Sequence, residues 1–442
     1  MKQLFLFAFL FLGLATNFSM QSQNYVGFNI DNYAGIHSVL VNPSNVVDSP
    51  FKTDINFFSF SSFAGSDYLS FNFKDLFKSN GEFDFEEDSN TTASNNNNFF
   101  LNMDALGPSF MMNITPKHSI AITTRARSFL NLHNMNGKLF DDLENGFEDD
   151  EDIDININNL NGTVHVWGEL GLSYGTVLLD KQHHFLKAGV TLKYIQGAGS
   201  IYINADQIQG HYSADTDLLT TTGNLNYAST QGFDTDDLDL SNLSTGFGAD
   251  IGATYEWRRN AVIDSTSKKL KDYKLKVGVS VTDIGSVTYK GTTETSYDLN
   301  NIVNTDEFED KEVEDILDEY YDYTEKLTDS KIQLPTALHF LADYSIVKSL
   351  FVSVQGSFSL TDKSNSTASS IINAITIAPR YEIKWFSFYL PASFREYGNF
   401  AWGCGLRAGP LMVGSGSILS NAFSKSTKTA DIYLGLKIPI YQ

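Results

Sequence analysis

The side chains in this sequence that could bind a metal or attack a substrate are carboxylates, histidines and a few serines. The segments "FDDLENGFEDDEDIDININN" and "DEFEDKEVEDILDEYYDYTEKLTD" concentrate the acid, and Asp152, Asp154 and Asn156 offer alternating oxygens of the kind calcium prefers. No glycine takes the sixth position of a calcium loop, so the stretch reads first as a solvated acidic rim, open to divalent bridging with lipopolysaccharide. The pair His183-His184 has too few companions for a metal site and reads as a polar link in a tight turn. Ser415 in "VGSGSILS" and Ser66 in "AGSDY" lack the Gly-x-Ser-x-Gly spacing of a nucleophile elbow. His165 and Glu169 share one face of a strand, where a structural hydrogen bond is the simpler role than acid–base work. Cys404 is the single cysteine, so no internal disulfide exists, and it reads as a small apolar strand residue. Nothing converges as a nucleophile and base, and the chain is not expected to be an enzyme or to carry a cofactor.

The elements that hold these groups alternate with a period of two. In "DIYLGLKIPIYQ", Ile432, Leu434, Leu436, Ile438 and Ile440 share one face and Tyr433, Gly435, Lys437, Pro439 and Tyr441 the other. "GFGADIGATYEW" and "DYKLKVGVSVTD" repeat the pattern over about ten residues, the length of a tilted membrane-spanning strand. In each, small or charged residues oppose the apolar stripe. His165, Glu169, Asp250, Glu256, Lys274 and Lys276 are therefore expected to face a polar lumen. That favours a plugged or water-filled interior over a greasy conduit.

Connection lengths give the architecture. Strands are expected near 430–441, 411–418, 400–409, 385–392, 371–382, 349–361, 335–346, 272–290, 246–259, 184–204, 162–180, 118–131, 107–115 and 66–74. Short or basic links such as "TPKHS" and "LDKQHH" alternate with long polar ones, which is the asymmetry of periplasmic turns and outer loops. An amphipathic helix is expected inside the loop 291–334, carried by Val313, Ile316, Leu317, Tyr320, Tyr321 and Leu327. The fold class is all-β: a transmembrane antiparallel barrel of about fourteen strands with long acidic outer loops, whose last strand closes onto the first. The net charge of −22 excludes nucleic acid as a partner.

Residues 1–22 read as a secretory signal, because Lys2 precedes the apolar run Leu4 to Ala15, which is too short to span a bilayer. Behind it, "NYVGFNIDNYAGIHSVLVNPSNVVDSP" holds the turn Asn42, Pro43, Ser44. Here the chain resembles the Bacteroidota outer-membrane barrels of FadL and PorV type, which enter with a glycine, an Asn-Pro-Ala turn and a short segment folded into the barrel mouth. The resemblance implies a hatch over 23–64, a barrel over 65–442 and residence in the outer membrane; by strand count, "TDINFFSFSSF" is either a plug strand or the lower half of one long bent first strand. It also implies a terminal strand read by the barrel-assembly machinery. As function it implies passage of small hydrophobic molecules or, alternatively, a non-transporting scaffold for secretion or gliding machinery.

Overall fold

The structure is a computed structural model that describes residues 25–73, 75, 89–145, 152–230, 233, 243–258, 273–308, 311 and 313–441; the signal segment lies outside them. Fourteen antiparallel wall strands close into a barrel. In chain order they are Phe51–Ser66, then Asn97–Leu106 continued by Ser109–Thr115, His118–Met135, Ile153–Lys181, His184–Ser213, Ser244–Arg258 and Tyr273–Asp298. Asp322–Gln333 continued by Ala337–Val347 comes next, followed by Leu350–Ser359, Ala374–Ile383, and Phe386–Tyr389 with Ala392–Arg395. Asn399–Trp402 with Cys404–Ala408, Leu411–Ser415 and Thr429–Tyr441 complete the ring.

Closure is made by the two end strands. Phe51–Ser66 pairs antiparallel with Thr429–Tyr441, from Phe51 opposite Tyr441 to Gly65 opposite Thr429. Its other side pairs with both halves of the strand Asn97–Thr115. The first wall strand thus begins at Phe51 and not near residue 66. Residues 51–64 of the expected hatch belong to the wall, and only the segment up to Pro50 remains as an insert. The stretch around Leu69–Phe71 pairs instead with Ser89–Thr91 in a separate small sheet.

Alternation sorts the side chains as a barrel requires. Leu172, Leu192, Ile251, Val279, Ile377, Leu436 and Ile438 are exposed on the outside. Tyr255, Trp257, Tyr344, Tyr381 and Trp385 ring the end where the short turns and both end strands meet, and Tyr194, Phe247, Phe400 and Trp402 ring the other. The apolar belt spans the bilayer, and the short-turn end faces the periplasm.

Ile153–Lys181 and His184–Ser213 run for 29 and 30 residues, on the order of 95 Å of strand, far beyond what the bilayer needs. Their outer halves, with Leu218–Ser229, Tyr273–Asp298 and Asp322–Gln333, form a sheet above the membrane. Ile155, Ile157, Ile203, Ile208, Tyr297 and Ile316 form its apolar core. Ile316 comes from the helix Val313–Tyr320, inside the loop where a helix is expected. Leu327 lies outside that helix, on the strand Asp322–Gln333.

A charge on the lipid face should show the membrane belt directly. Leu172→Arg, at a position 54% exposed on the outside, is expected to destabilise the barrel by about 2–4 kcal/mol. Urea titration in lipid vesicles reads the change; an unaltered midpoint would place Leu172 outside the hydrocarbon.

Candidate functional site: a lumen closed by two inserted segments

The lower closure is the segment from Tyr25 to Pro50, folded within the periplasmic end of the barrel. Its chain folds compactly through turns, the short helix Ile36–Val39 and the 3-10 turn Pro43–Val46. The Asn42 side chain caps that turn by accepting from Ser44 N–H (3.0 Å), while its amide donates to Ala253 O (3.2 Å) and Val279 O (3.3 Å) in the wall. The Ser44 hydroxyl reaches both Asn42 Oδ1 (2.7 Å) and Thr254 Oγ1 (2.8 Å).

A row of wall glycines admits this turn. Gly175, Gly189 and Gly252 lie opposite one another on three adjacent strands. A Cβ on Gly189 would stand 2.4 Å from Pro43 O, one on Gly252 2.3 Å from Asn42 Oδ1, and one on Gly175 2.4 Å from Val46 Cγ1. With Asn42, Pro43 and Val46 in place, any larger residue would push the segment off the wall. The backbone of the segment thus approaches as closely as a strand would.

Charged groups tie down the rest. Arg407 donates to Asp31 at 3.0 Å, and the Tyr389 hydroxyl donates to the same carboxylate. Lys437 Nζ donates to Tyr33 O (2.7 Å), Ala34 O (2.9 Å) and Asp54 (3.2 Å). Lys187 Nζ donates to Val47 O, and Arg258 to Asp48. Asn32 meets Glu382 through its backbone and side chain, and Glu382 in turn holds Arg380, which grips Asp343 with both terminal nitrogens. Apolar packing adds Phe28, Ala34, Tyr389, Met412 and Tyr433 on one side, and Tyr33, Ile36, Val46, Val47 and Phe51 on the other.

Above the plug the lumen carries a charge network. Arg125 pairs with Asp104 and Glu169, Arg127 with Asp283 (2.9 Å) and Glu169 (3.7 Å), and Lys193 with Asp250 (2.8 Å) and Asp283. Higher still, the inward face turns apolar: Phe63, Phe100, Phe129, Trp167, Ile195 and Tyr289 pack with Ile332 and Leu334. The interior is therefore polar only in part, contrary to the reading from alternation. Phe129 and Trp167 continue the same inward face as Arg127 and Glu169, and a face read as polar from its lower half did not reveal them.

The upper closure is the loop 360–373, which dips into the lumen rather than standing in solvent. Asn161 donates to Lys363 O (2.7 Å), Thr163 to Ser366 O (2.6 Å), and Asn131 exchanges two bonds with Ser370. Ile372 joins the aromatic cluster. Between the two closures lies a cavity of about 80 Å³. Tyr25, Val26, His37 and Leu40 of the plug form one side, Ile371 and Ile372 of the loop another, with Phe100, Arg125, Arg127, Asp283 and His339 on the wall.

The residues singled out in the sequence fall as follows. His165, Glu169, Asp250 and Glu256 all face inward and are buried. His165 Nε2 bonds Tyr289 Oη at 3.0 Å, and Glu256 holds Arg258 at 2.7 Å. Lys276 also faces in, near Asp343. Lys274 does not: the register shifts where Trp257 pairs with Leu275 and Arg258 with Tyr273. That bulge turns Tyr273 inward to Asp343 and lays Lys274 over the outward Tyr344 ring, 3.9 Å from its centroid. Asp152, Asp154 and Asn156 lie at or along one extended strand, engaged respectively with Ala214 N–H, His211 and Asn158. Among the described residues no group of three His, Cys, Asp or Glu gathers as metal ligands. His183 bonds Arg258 O, His184 bonds Tyr255 Oη, and the Ser66 and Ser415 hydroxyls accept from backbone N–H groups of the residues that follow.

A closed barrel with a lipid-facing belt and an occupied lumen defines an integral outer-membrane β-barrel protein. The chain belongs to the Family of unknown function (DUF5723), whose sequence profile matches residues 43–416. No curated protein matches its sequence. Among solved structures it is similar to the TodX monoaromatic hydrocarbon channel deltaS2 mutant, at 9% identity and TM-score 0.45 over 92% of this chain and 93% of that one. A Pseudomonas aeruginosa FadL homologue matches at 7% identity and TM-score 0.44, over 95% and 97% of the two chains. The P. putida toluene transporter TodX matches at 7% and 0.42, over 93% and 95%.

Two titratable groups of the plug are held away from their ordinary protonation behaviour. Burial and the nearby Lys437 ammonium keep His37 well below the usual imidazole range. Burial opposes ionisation of Asp31, but the Arg407 guanidinium and the Tyr389 hydroxyl outweigh it and hold Asp31 below the usual carboxylate range. Both groups bind protons more readily once released, so their contribution to the seated state is present above their free pKa values, about 6.5 and 3.9, and declines as pH falls. Between about pH 7 and about pH 5 the His37 contribution is the one lost, so limited proteolysis of segment 25–50 is expected to quicken over that range relative to the His37→Phe protein. The same pH dependence in both proteins, measured with a protease whose own activity is matched, would contradict it.

Proposed function

We propose that this barrel passes small, largely hydrophobic molecules across the outer membrane, with the N-terminal segment as its periplasmic hatch. The observation that carries the reading is the apolar cluster of Phe63, Phe100, Phe129 and Trp167 beneath the acidic outer loops. It adjoins a cavity bounded by the plug and the loop 360–373. Wall strands in a barrel are locked by their ladders, whereas these two segments are attached mainly by side-chain contacts, the loop also by a few backbone bonds such as those at Gln333, and are the parts able to move. A molecule with an apolar body would meet the aromatic cluster first and the Arg125–Arg127 network next.

A second reading is a PorV-type accessory barrel that docks secretion or gliding proteins without transport. What favours it is that, among the described residues, side chains and inserts fill the lumen at each level described above, and the cavity between the closures is small.

A crosslink distinguishes the two. A Cβ on Gly252 would lie 2.9 Å from Asn42 Cγ, so cysteines at 42 and 252 fall within disulfide reach. In a Cys404→Ser background, Asn42→Cys with Gly252→Cys is expected to hold uptake of a hydrophobic fluorescent tracer into proteoliposomes at background until a reductant is added. Uptake that persists under oxidation would remove the hatch from the transport path. No uptake by the reduced or the wild-type protein would favour the accessory reading.

A further inference from the structure

The outer half of the strand Asp322–Gln333 has one partner and one open side. Tyr273–Asp298 pairs with it from Ser286 opposite Gln333 to Asp298 opposite Asp322. The next wall strand, Leu350–Ser359, ends too low to cover its other side. Gln333 shows which way the free groups point. Its N–H donates to Thr367 O at 2.8 Å and its carbonyl accepts from Ser369 N–H at 3.1 Å, both away from the paired strand. Backbone groups of alternate residues point to the same side of a strand. Those of Lys331, Asp329, Leu327, Glu325 and Tyr323 therefore point to the open side, where no backbone partner exists among the described residues.

This edge already accepts an extended segment. The loop residues 367–369 lie along Gln333 in a parallel bridge between Gln333 and Ala368, and the pairing then stops. Above it, residues 322–327 are exposed on both faces, with Leu327 74% and Tyr323 45% exposed on one of them. At the upper end an open hollow of about 410 Å³ is lined by Asp298, Asp318, Glu319 and Asp322. Its carboxylates, with Glu325 and Asp329 against Lys326 and Lys331 on the strand itself, leave the edge net acidic.

We propose that this edge is a docking site for an extended, basic segment of another protein, added as a further strand with a lysine or arginine in the acidic hollow. Main-chain bonds along the edge supply affinity, Tyr323 and Leu327 give apolar side-chain contact, and the carboxylates select sign. The inference stands whether or not the lumen conducts. It concerns a surface above the membrane that the plug and cavity do not touch.

The test uses the full chain in lipid nanodiscs and a labelled, strand-forming peptide that alternates lysine with valine. A glutamate-for-lysine peptide and one with a central proline serve as controls. Leu327→Pro removes an edge N–H together with one apolar contact, a change edge strands tolerate, and Asp318→Asn with Asp322→Asn removes charge from the hollow. Fluorescence anisotropy is expected to show binding of the lysine peptide alone, weakened at least about tenfold by either variant. An unchanged melting temperature would show that the variants fold. Equal binding of the glutamate or proline peptide, or undiminished binding to Leu327→Pro, would overturn the proposal. Loss of binding only in the charge variant would leave the hollow as a site for cations and overturn the strand addition.

Discussion

Charges inside a membrane barrel must find partners, because removing one member of a buried pair costs about 3–5 kcal/mol, and the architecture follows from how they are found. Alternation points every second side chain inward, and here the inward set includes Arg125, Arg127, Lys193, Arg380, Arg407 and Lys437, all buried. The first four are paired mainly with carboxylates of other wall strands, adjacent or across the lumen. Arg407 and Lys437 are not completed by the wall. Asp31 and the carbonyls of Tyr33 and Ala34 complete them, so the N-terminal segment acts as the missing acceptor of the periplasmic half.

That dependence explains why the segment is both firmly held and separable. Its polar contacts are made by individual side chains, Arg407 to Asp31, Lys437 to two carbonyls and Asn42 to the wall, and its closest approach is to a strip of wall without side chains at Gly175, Gly189 and Gly252. No hydrogen-bond ladder continues from it into the sheet. The loop 360–373 repeats the arrangement from above, through Asn131, Asn161 and Thr163. Between them the cavity has polar and apolar sides, a consequence of charge below and aromatic rings above.

Much of the barrel was legible because a two-residue period is a direct image of a sheet with lipid on one side. The last strand and the inward faces of His165 and Glu169 follow from it, while the helix within the long outer loop follows from the three- and four-residue spacing of Val313, Ile316, Leu317 and Tyr320. The first strand was not legible, since "FKTDINFFSFSSFAGS" packs Ser59, Ser61 and Phe63 inward and does not look apolar on one face and polar on the other. Lys274 was misread because a single bulge inverts every residue on one side of it. The link 362–370, between the strands expected at 349–361 and 371–382, was read as one of the polar outer loops, because polar composition cannot show that Ser and Asn side chains fold back to satisfy inward groups. The turn at Asn42, Pro43 and Ser44 was visible as a turn, while its seat became apparent only once three glycines from distant parts of the chain stood in one row.

The central claim is that two inserts, and not the strands, close the lumen in series. Planar-bilayer conductance of four proteins tests it: the intact chain, a deletion of 25–50, a replacement of the loop 362–371 by a short turn, and the two changes together. A steady conductance in the combined form alone is the result the account predicts. A conducting single variant would show that the remaining insert does not seal the barrel, and a silent combined form that still folds would show that the wall side chains do.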